Sequence, residues 1–332
     1  MEGLNKMSLL NEMASNKYVK VKPVQGEEDL YACNFTRDAF RNHVWNQYTT
    51  TARGLFLNSR SDVVVRGYNK FFNINENKET TEGAIFEKVK YPIISSYKEN
   101  GFLGLIAPKN EKGKFYFFTK AGNTQYSWII YHLFNKRVDI PTQEKIWKIL
   151  YDLNATMAVE VIAPQYDRHI IYYRDSRLYI LDIIKNQIKL EFCNNALEDI
   201  KSIASDCLNF TTFFSPITDE VDLMYKIKYT KDMLYHEGAV YRDSNNYMFK
   251  VKSDLYKRTK ALRPALTAIA SGKKNIFDYK NKNYFDDLKT VSKKYGENIP
   301  IWFNPIEEKY IPDMTQIHSF LGELILDGFC NS

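Results

Sequence analysis

Lysines, glutamates and an arginine recur in seven short stretches set in one order along the chain: Ala52-Arg53-Gly54, Lys70-Phe71-Phe72-Asn73, Lys98-Glu99-Asn100-Gly101, Phe118-Thr119-Lys120, Ala158-Val159-Glu160-Val161, Glu237-Gly238 and Lys250-Val251-Lys252. A lysine attacks phosphorus only as the free amine, and near neutral pH that requires neighbouring cations, a metal ion or burial to lower its pKa. Arg53, Lys70, Lys120, Lys250 and Lys252 could supply such a field. The same groups would neutralise a triphosphate, stabilise a pentavalent α-phosphate and favour departure of pyrophosphate. Glu160 and Glu237 would hold a ribose or orient a hydrated Mg²⁺, an ion that keeps most of its waters and needs few protein ligands.

The elements must bring these groups together. Lys98 lies between two apolar runs, Tyr91-Pro92-Ile93-Ile94 and Phe102-Leu103-Gly104-Leu105-Ile106, which read as buried strands joined by a turn at Asn100-Gly101. A second Lys-x-x-Gly, Lys293-Lys294-Tyr295-Gly296, follows the helical spacing of Phe285, Leu288 and Val291 and reads as a solvated helix end closed by Gly296. Lys98 taken alone could equally be a surface lysine; the other six stretches argue otherwise. Alternation in Met248-Phe249-Lys250-Val251-Lys252 puts both lysines on one strand face, where they need an anion, unless the strand is a sheet edge guarded by lysines. Glu160 sits in the otherwise apolar strand Met157-Ala158-Val159-Glu160-Val161-Ile162, where a charge is costly unless a cation, a ribose hydroxyl or a metal-bound water satisfies it; a structural ion pair is the alternative.

From about Tyr31 to Lys252 the pattern is of short strands and turns with two helical inserts, Tyr126 to Phe134 and Gln143 to Leu153. Beyond Ser253 it turns helical: Leu255, Leu262, Leu266 and Ile269, then Phe285, Leu288 and Val291, then Ile317, Phe320, Leu321, Leu324 and Ile325. The predicted fold class is α+β, with a body over residues 1–254 and a small all-helical domain over 255–332. From Tyr256 to Lys294 there are 11 Lys or Arg against 3 Asp or Glu, a net of +8, and from Tyr295 on 1 against 6, a net of −5. Such a segment suits a polyphosphate-facing surface or a solvated helix face.

With 332 residues, 44% of them hydrophobic, the chain has ample material for a core. No stretch approaches the ~20 apolar residues of a membrane span, and Met1 to Lys20 lacks a secretory core, so no membrane partner is expected and the expected setting is intracellular and cytoplasmic, with the nucleus also open. Cys33, Cys193, Cys207 and Cys330 show no C-x-x-C pairing, which points to free thiols and away from disulfides or zinc.

In combination the motifs resemble those of covalent nucleotidyltransferases of the RNA ligase 1 family, which includes the bacteriophage tRNA-repair ligase and the ligase domain of fungal-type tRNA ligases. Arg53-Gly54-Leu55-Phe56 with Arg66-Gly67-Tyr68-Asn69-Lys70-Phe71-Phe72-Asn73 is most similar to fungal-type and viral members, and Lys250-Val251-Lys252-Ser253-Asp254-Leu255-Tyr256 to the phage enzyme. The resemblance covers roughly residues 30–260, and its motifs are those of RNA rather than DNA ligases. It implies an antiparallel-sheet adenylyltransferase domain in which Lys98 becomes adenylated. Arg53, Lys70, Lys120, Glu160, Glu237, Lys250 and Lys252 would bind ATP, with Lys250, Lys252 and Glu237 taking part in catalysis and Glu160 and Glu237 near the metal. Tyr256 matches a functional tyrosine after the last motif; together with Lys257, Arg258, Lys273 and Lys274 of the basic segment it is expected to meet RNA. Phage members have an acidic residue where Asn100 stands and fungal-type members have Asn, so Asn100 receives no metal role. Phe35 is a candidate for stacking on adenine, or an ordinary core residue.

The implied reaction runs in three steps with ATP and Mg²⁺ (Mn²⁺ able to substitute): lysyl-AMP forms with loss of pyrophosphate, AMP passes to an RNA 5′-phosphate, and a 3′-hydroxyl displaces it. The expected partner is RNA bearing those two ends, tRNA foremost. No G-x-x-x-x-G-K-[ST] loop or paired His-x-Thr motif is present, so a separate end-healing kinase, phosphatase or phosphodiesterase is implied. The alternatives are an mRNA capping guanylyltransferase, which should carry a C-terminal OB-like barrel, and a catalytically inactive RNA-binding relative.

Overall fold

Residues 8–296 and 298–330 are described by a computed structural model, with side chains as far as residue 327. The chain folds as two compact units interleaved in sequence. The first takes the residues up to Phe71, then Phe102–Val161 and Arg177–Thr211; the second takes Phe72–Gly101, Ile162–Ser176 and the chain from Thr212 on. Strands and helices are numbered along the chain.

The first unit holds α1 (Leu9–Ser15), α2 (Arg37–Arg41), α3 (Gln47–Thr51) and an antiparallel sheet β1 (Val19–Pro23), β2 (Tyr31–Phe35), β3 (Leu55–Leu57), β4 (Val63–Arg66) in sequence order. Its second sheet has the order β11-β10-β9-β7-β8, built from β7 (Phe102–Pro108), β8 (Phe115–Thr119), β9 (Ala155–Ile162), β10 (Arg177–Lys185) and β11 (Asn209–Phe210). Every residue of the central β9 is buried, which is why its sequence reads as an apolar run. Between β8 and β9 lie α5 (Gln125–Arg137) and α6 (Ile140–Asp152), the two predicted inserts. Asp139 caps α6 by accepting the Thr142 N–H, and Ile146, Trp147 and Leu150 turn inward at helical spacing. A further helix, α7 (Asn194–Ala204), was not legible in the strand-rich pattern.

The second unit has a four-stranded sheet, order β5-β13-β12-β6, from β5 (Phe72–Asn73), β6 (Ile94–Tyr97), β12 (Gly238–Arg242) and β13 (Met248–Lys252). Helices α4 (Glu82–Lys88) and α8 (Glu220–Lys231), both also unforeseen, contribute Ile85, Leu223 and Ile227 to a core with Ala239, Tyr241, Phe249 and Val251. Then come α9 (Asp254–Ala270), α10 (Phe285–Tyr295) and α11 (Met314–Cys330), closing on Leu255, Leu262, Leu266, Leu288, Val291, Ile317 and Leu321 together with Ile170 and Ile171.

The runs around Lys98 do lead into strands on either side of a bend at Asn100-Gly101, but the strands join different sheets: β6 pairs with β12 in the second unit, whereas β7 pairs with β8 and β9 in the first. Period-2 alternation identifies strands but not their partners. One expectation needs correction: the C-terminal region is not purely helical, because β14 (Ile301–Asn304) and β15 (Lys309–Pro312) pair antiparallel. The period does change at residue 254, where Ser253 caps α9, but these helices share their core with residues 170–171. Cys33, Cys193 and Cys207 are free thiols; the Cys330 side chain lies outside the described residues.

Candidate active site

The predicted site residues fall into two clusters, one in each unit: Lys98, Glu237, Lys250, Lys252 and Tyr256 in the second, Arg53, Lys70, Lys120 and Glu160 in the first. Each is described in its own unit.

In the second unit the sheet register sets the site. Lys250 and Lys252 share one face of β13, while Phe249 and Val251 are buried beneath the other. β13 lies between β12 and β5, so the lysines do not guard a sheet edge. Gly238 faces Lys252 across the β12–β13 pair with φ +143°, and a Cβ there would stand 2.0 Å from the Val251 carbonyl oxygen. Only glycine fits so close an approach. The Gly238 carbonyl accepts the Lys98 N–H at 2.9 Å and the Glu237 carbonyl accepts the Ser253 N–H at 3.0 Å, so Glu237-Gly238 anchors the backbone beside both lysine positions.

The Glu237 carboxylate lies between two ammonium groups: Oε2 is 3.0 Å from Lys98 Nζ, and Oε1 is 2.8 Å from Lys252 Nζ. It is 3% exposed. Burial works against its ionisation, yet the charges of Lys98 and Lys252 prevail and hold its pKa down at about 2. Asn100, also 3% exposed, completes this arrangement. Its Nδ2 donates to Glu237 Oε2 at 2.7 Å and to the Tyr256 hydroxyl at 3.2 Å, while its Oδ1 accepts the Ile170 and Ile171 N–H groups at 3.0 Å each. The Asn100 N–H donates to the Tyr173 hydroxyl, which donates to Glu99 Oε2 at 2.9 Å. An amide alone can donate to one carboxylate while accepting two backbone N–H groups, which explains Asn at this position without a metal.

Three expectations shift on this geometry. Glu237 is a charge-holder between two lysines, its oxygens already occupied, and not a preformed metal ligand. Tyr256 is 4% exposed and holds Asn100, so it presents no surface to an RNA. Arg258 is forked on Asp287 at 2.6 and 3.1 Å and Lys257 reaches Asp254 at 2.6 Å; all four predicted basic RNA contacts are exposed, but two of them are already paired with carboxylates.

In the first unit, β9 alternation directs Glu160. Val159 and Val161 pack with Ile130 of α5 around Gly104, so Glu160 turns to the other face. Arg53 follows α3, and Gly54, at φ +64°, passes close to the Gly67 and Lys120 backbones: its ideal Cβ would lie 3.6 Å from one Cα and 3.7 Å from the other. Burial lowers the Arg53 pKa while the Glu160 charge raises it, and Arg53 Nη1 is buried with no hydrogen-bond partner among the described residues. Partial desolvation and then the Arg53 charge lower the Lys120 pKa. A cation surplus with an orphaned guanidinium nitrogen fits a polyanion. Lys70 Nζ lies 5.2 Å above the Trp45 ring, and Phe35 packs edge-on to the same Trp45 at 5.2 Å, as a core aromatic would. Among the described residues no group of three or more His, Cys, Asp or Glu could hold a metal.

Sequence comparison matches residues 51–256 to the RNA ligase family. tRNA ligase 1 of Schizosaccharomyces pombe is 25% identical over 330 residues, which span 84% of this chain and 41% of that protein; the chain thus covers about two-fifths of this curated relative. A chain assigned as an ATP-dependent DNA ligase of Aquifex aeolicus superposes with a TM-score of 0.54 at 18% identity, over 87% of this chain and 75% of that one. An archaeal ATP-dependent RNA ligase does so with a TM-score of 0.53 at 13% identity, over 87% and 74%. At these identities the superpositions speak for the fold.

Proposed function

The chain belongs to the RNA ligase family, and from that membership we propose that it seals RNA 5′-phosphate and 3′-hydroxyl ends with ATP through a lysyl-AMP on Lys98. The observation that carries this reading is the buried Glu237 carboxylate shared by Lys98 and Lys252. It holds the Lys98 amine and the Lys252 ammonium at one carboxylate, an electrostatic seat for a phosphate. In the first step the Lys98 amine displaces pyrophosphate from the ATP α-phosphate; AMP then passes to the RNA 5′-phosphate, and the 3′-hydroxyl displaces it. Lys250 and Lys252 would stabilise the charge developing on phosphorus. Arg53, Lys70, Lys120 and Glu160 would bind nucleotide, the orphaned Arg53 Nη1 being the feature that supports this.

A hydrated Mg²⁺, or Mn²⁺ in its place, would add charge neutralisation when it arrives with the triphosphate. Glu160, whose charge acts on Arg53, would orient its waters. The name of the fungal relative favours tRNA as substrate, and the lack of kinase and phosphodiesterase motifs in this sequence is what supports a separate end-healing enzyme as partner. No helix among the described residues is long and apolar enough to cross a membrane. The C-terminal helices and hairpin favour this reading over capping, for which a barrel was expected.

The test is to incubate the protein with α-labelled ATP or GTP and Mg²⁺, then to offer RNA ends with and without a 2′-phosphate. Covalent label from ATP and a sealed strand are expected. Label from GTP alone would reassign the chain to capping chemistry, and no label from either would remove the enzyme reading.

A further inference from the structure

Lys260 belongs to the basic segment but to none of the seven motif stretches, yet it completes the charge pattern around Glu237. α9 starts from Ser253, whose Oγ accepts the Tyr256 N–H at 3.2 Å. Tyr256 and Lys260 are four residues apart and share one face of this helix. Two ammonium groups lie against the Tyr256 ring: Lys252 Nζ at 4.9 Å and Lys260 Nζ at 5.8 Å from its centre. Three lysines therefore gather at one carboxylate whose oxygens already serve Lys98 and Lys252. Partial desolvation and then the Lys252 charge push the Lys260 pKa down to about 8, with Lys98 acting in the same sense and Glu237 opposing. The charged groups facing this place are Lys252 from β13, Lys98 after β6, Glu237 before β12 and, along α9, Arg263, which acts on the Tyr256 hydroxyl. Glu237 is the sole anion of that set. Cations held together against their repulsion point to an anion that joins them.

We propose that Lys260 and Lys252 form a phosphate-binding pair against the Tyr256 ring that takes the pyrophosphate portion of the nucleotide. The pair rests on the ligase reading only for where that pyrophosphate comes from. Lys260 thus brings α9 into direct contact with the nucleotide, which no motif indicated.

The experiment is calorimetric titration of the full chain with inorganic pyrophosphate at pH 8, in buffers of different ionisation heat, beside a 5′-phosphorylated oligoribonucleotide. An anion seated on Lys260 favours its protonated form, so the wild type should take up as much as about half a proton on binding. Lys260→Met should abolish the uptake and weaken pyrophosphate binding roughly tenfold, in keeping with loss of one charge-assisted hydrogen bond. Lys260→Arg should retain most of the affinity without proton uptake, because its charge is permanent. Unchanged affinity and uptake in a Lys260→Met protein with native circular dichroism would overturn the inference. So would absence of pyrophosphate binding by the wild type, or a dependence on Lys260 confined to the oligonucleotide. Pyrophosphate binding of the expected kind in a protein that never forms lysyl-AMP would leave the pair standing and remove the ligase reading.

Discussion

At neutral pH the Glu237 carboxylate is ionised between Lys98 and Lys252, and its pKa near 2 makes this pairing a source of stability that depends on pH. A depressed carboxylate contributes its full share above its unfolded pKa, and the share is lost as pH falls toward the folded value. The gap in melting temperature between wild type and Glu237→Gln should therefore be widest above about pH 5 and narrow between pH 4.5 and 2; a constant gap would show that the charge is not the cause. Lys98→Ala should take no label from ATP, whereas Lys293→Ala, at the end of α10, should label normally. Asn100→Asp sets a carboxylate against Glu237 where an amide donated at 2.7 Å. The introduced acid should have a raised pKa, so this variant should lose stability as pH rises from 5 to 8, as thermal melts would show. The type and face of Lys250, Lys252 and Glu160 were legible from strand alternation alone. The roles of Asn100 and Lys260 were not: Asn100 acts through residues 70, 137 and 156 positions away, and helical spacing says nothing about which strand a helix residue will meet.

The elements that present these residues are held by close backbone approaches, so small changes there should act on the chemistry. Gly238→Ala would drive a Cβ into the Val251 carbonyl, and displacing β12 from β13 should cost about 3 kcal/mol or more and lower both melting temperature and lysyl-AMP yield. A soluble, fully active alanine variant would contradict the register. Helix α9 divides the basic segment in two. Charge reversal at Lys273 and Lys274 should flatten the salt dependence of RNA binding, each lost contact lowering the slope by about 0.7. Arg258→Glu should instead destabilise the protein, because it would face Asp287 with like charge. If reversals at Lys273 and Lys274 leave the slope unchanged, the segment is a solvated face. The +8 count was correct as a count, but a sequence total cannot distinguish a cation that faces solvent from one already paired.

On the scale of the molecule, the C-terminal helices are part of the second unit's core. A chain cut after Ser253 would lose Tyr256 and Lys260 and uncover Ile170 and Ile171, at about 1.5–3 kcal/mol for each large apolar side chain exposed, against a typical margin of 5–15 kcal/mol. Such a fragment is expected to show a broadened melt and little lysyl-AMP; a sharp melt with normal labelling would show the helices to be dispensable. The chain passes between its two units five times, at residues 71–72, 101–102, 161–162, 176–177 and 211–212. This interleaving bears on how the protein is made. A ribosome releases the chain from the N-terminus, so β5 and β6 emerge well before β12 and β13, their partners in the sheet. Until those later strands arrive, the apolar residues of β6 and of the segment around Ile170 have no native cover. The first unit can finish once residue 211 has cleared the exit tunnel, but the second must wait for β12, β13 and the helices that follow, so Lys98 emerges 139 residues ahead of Glu237.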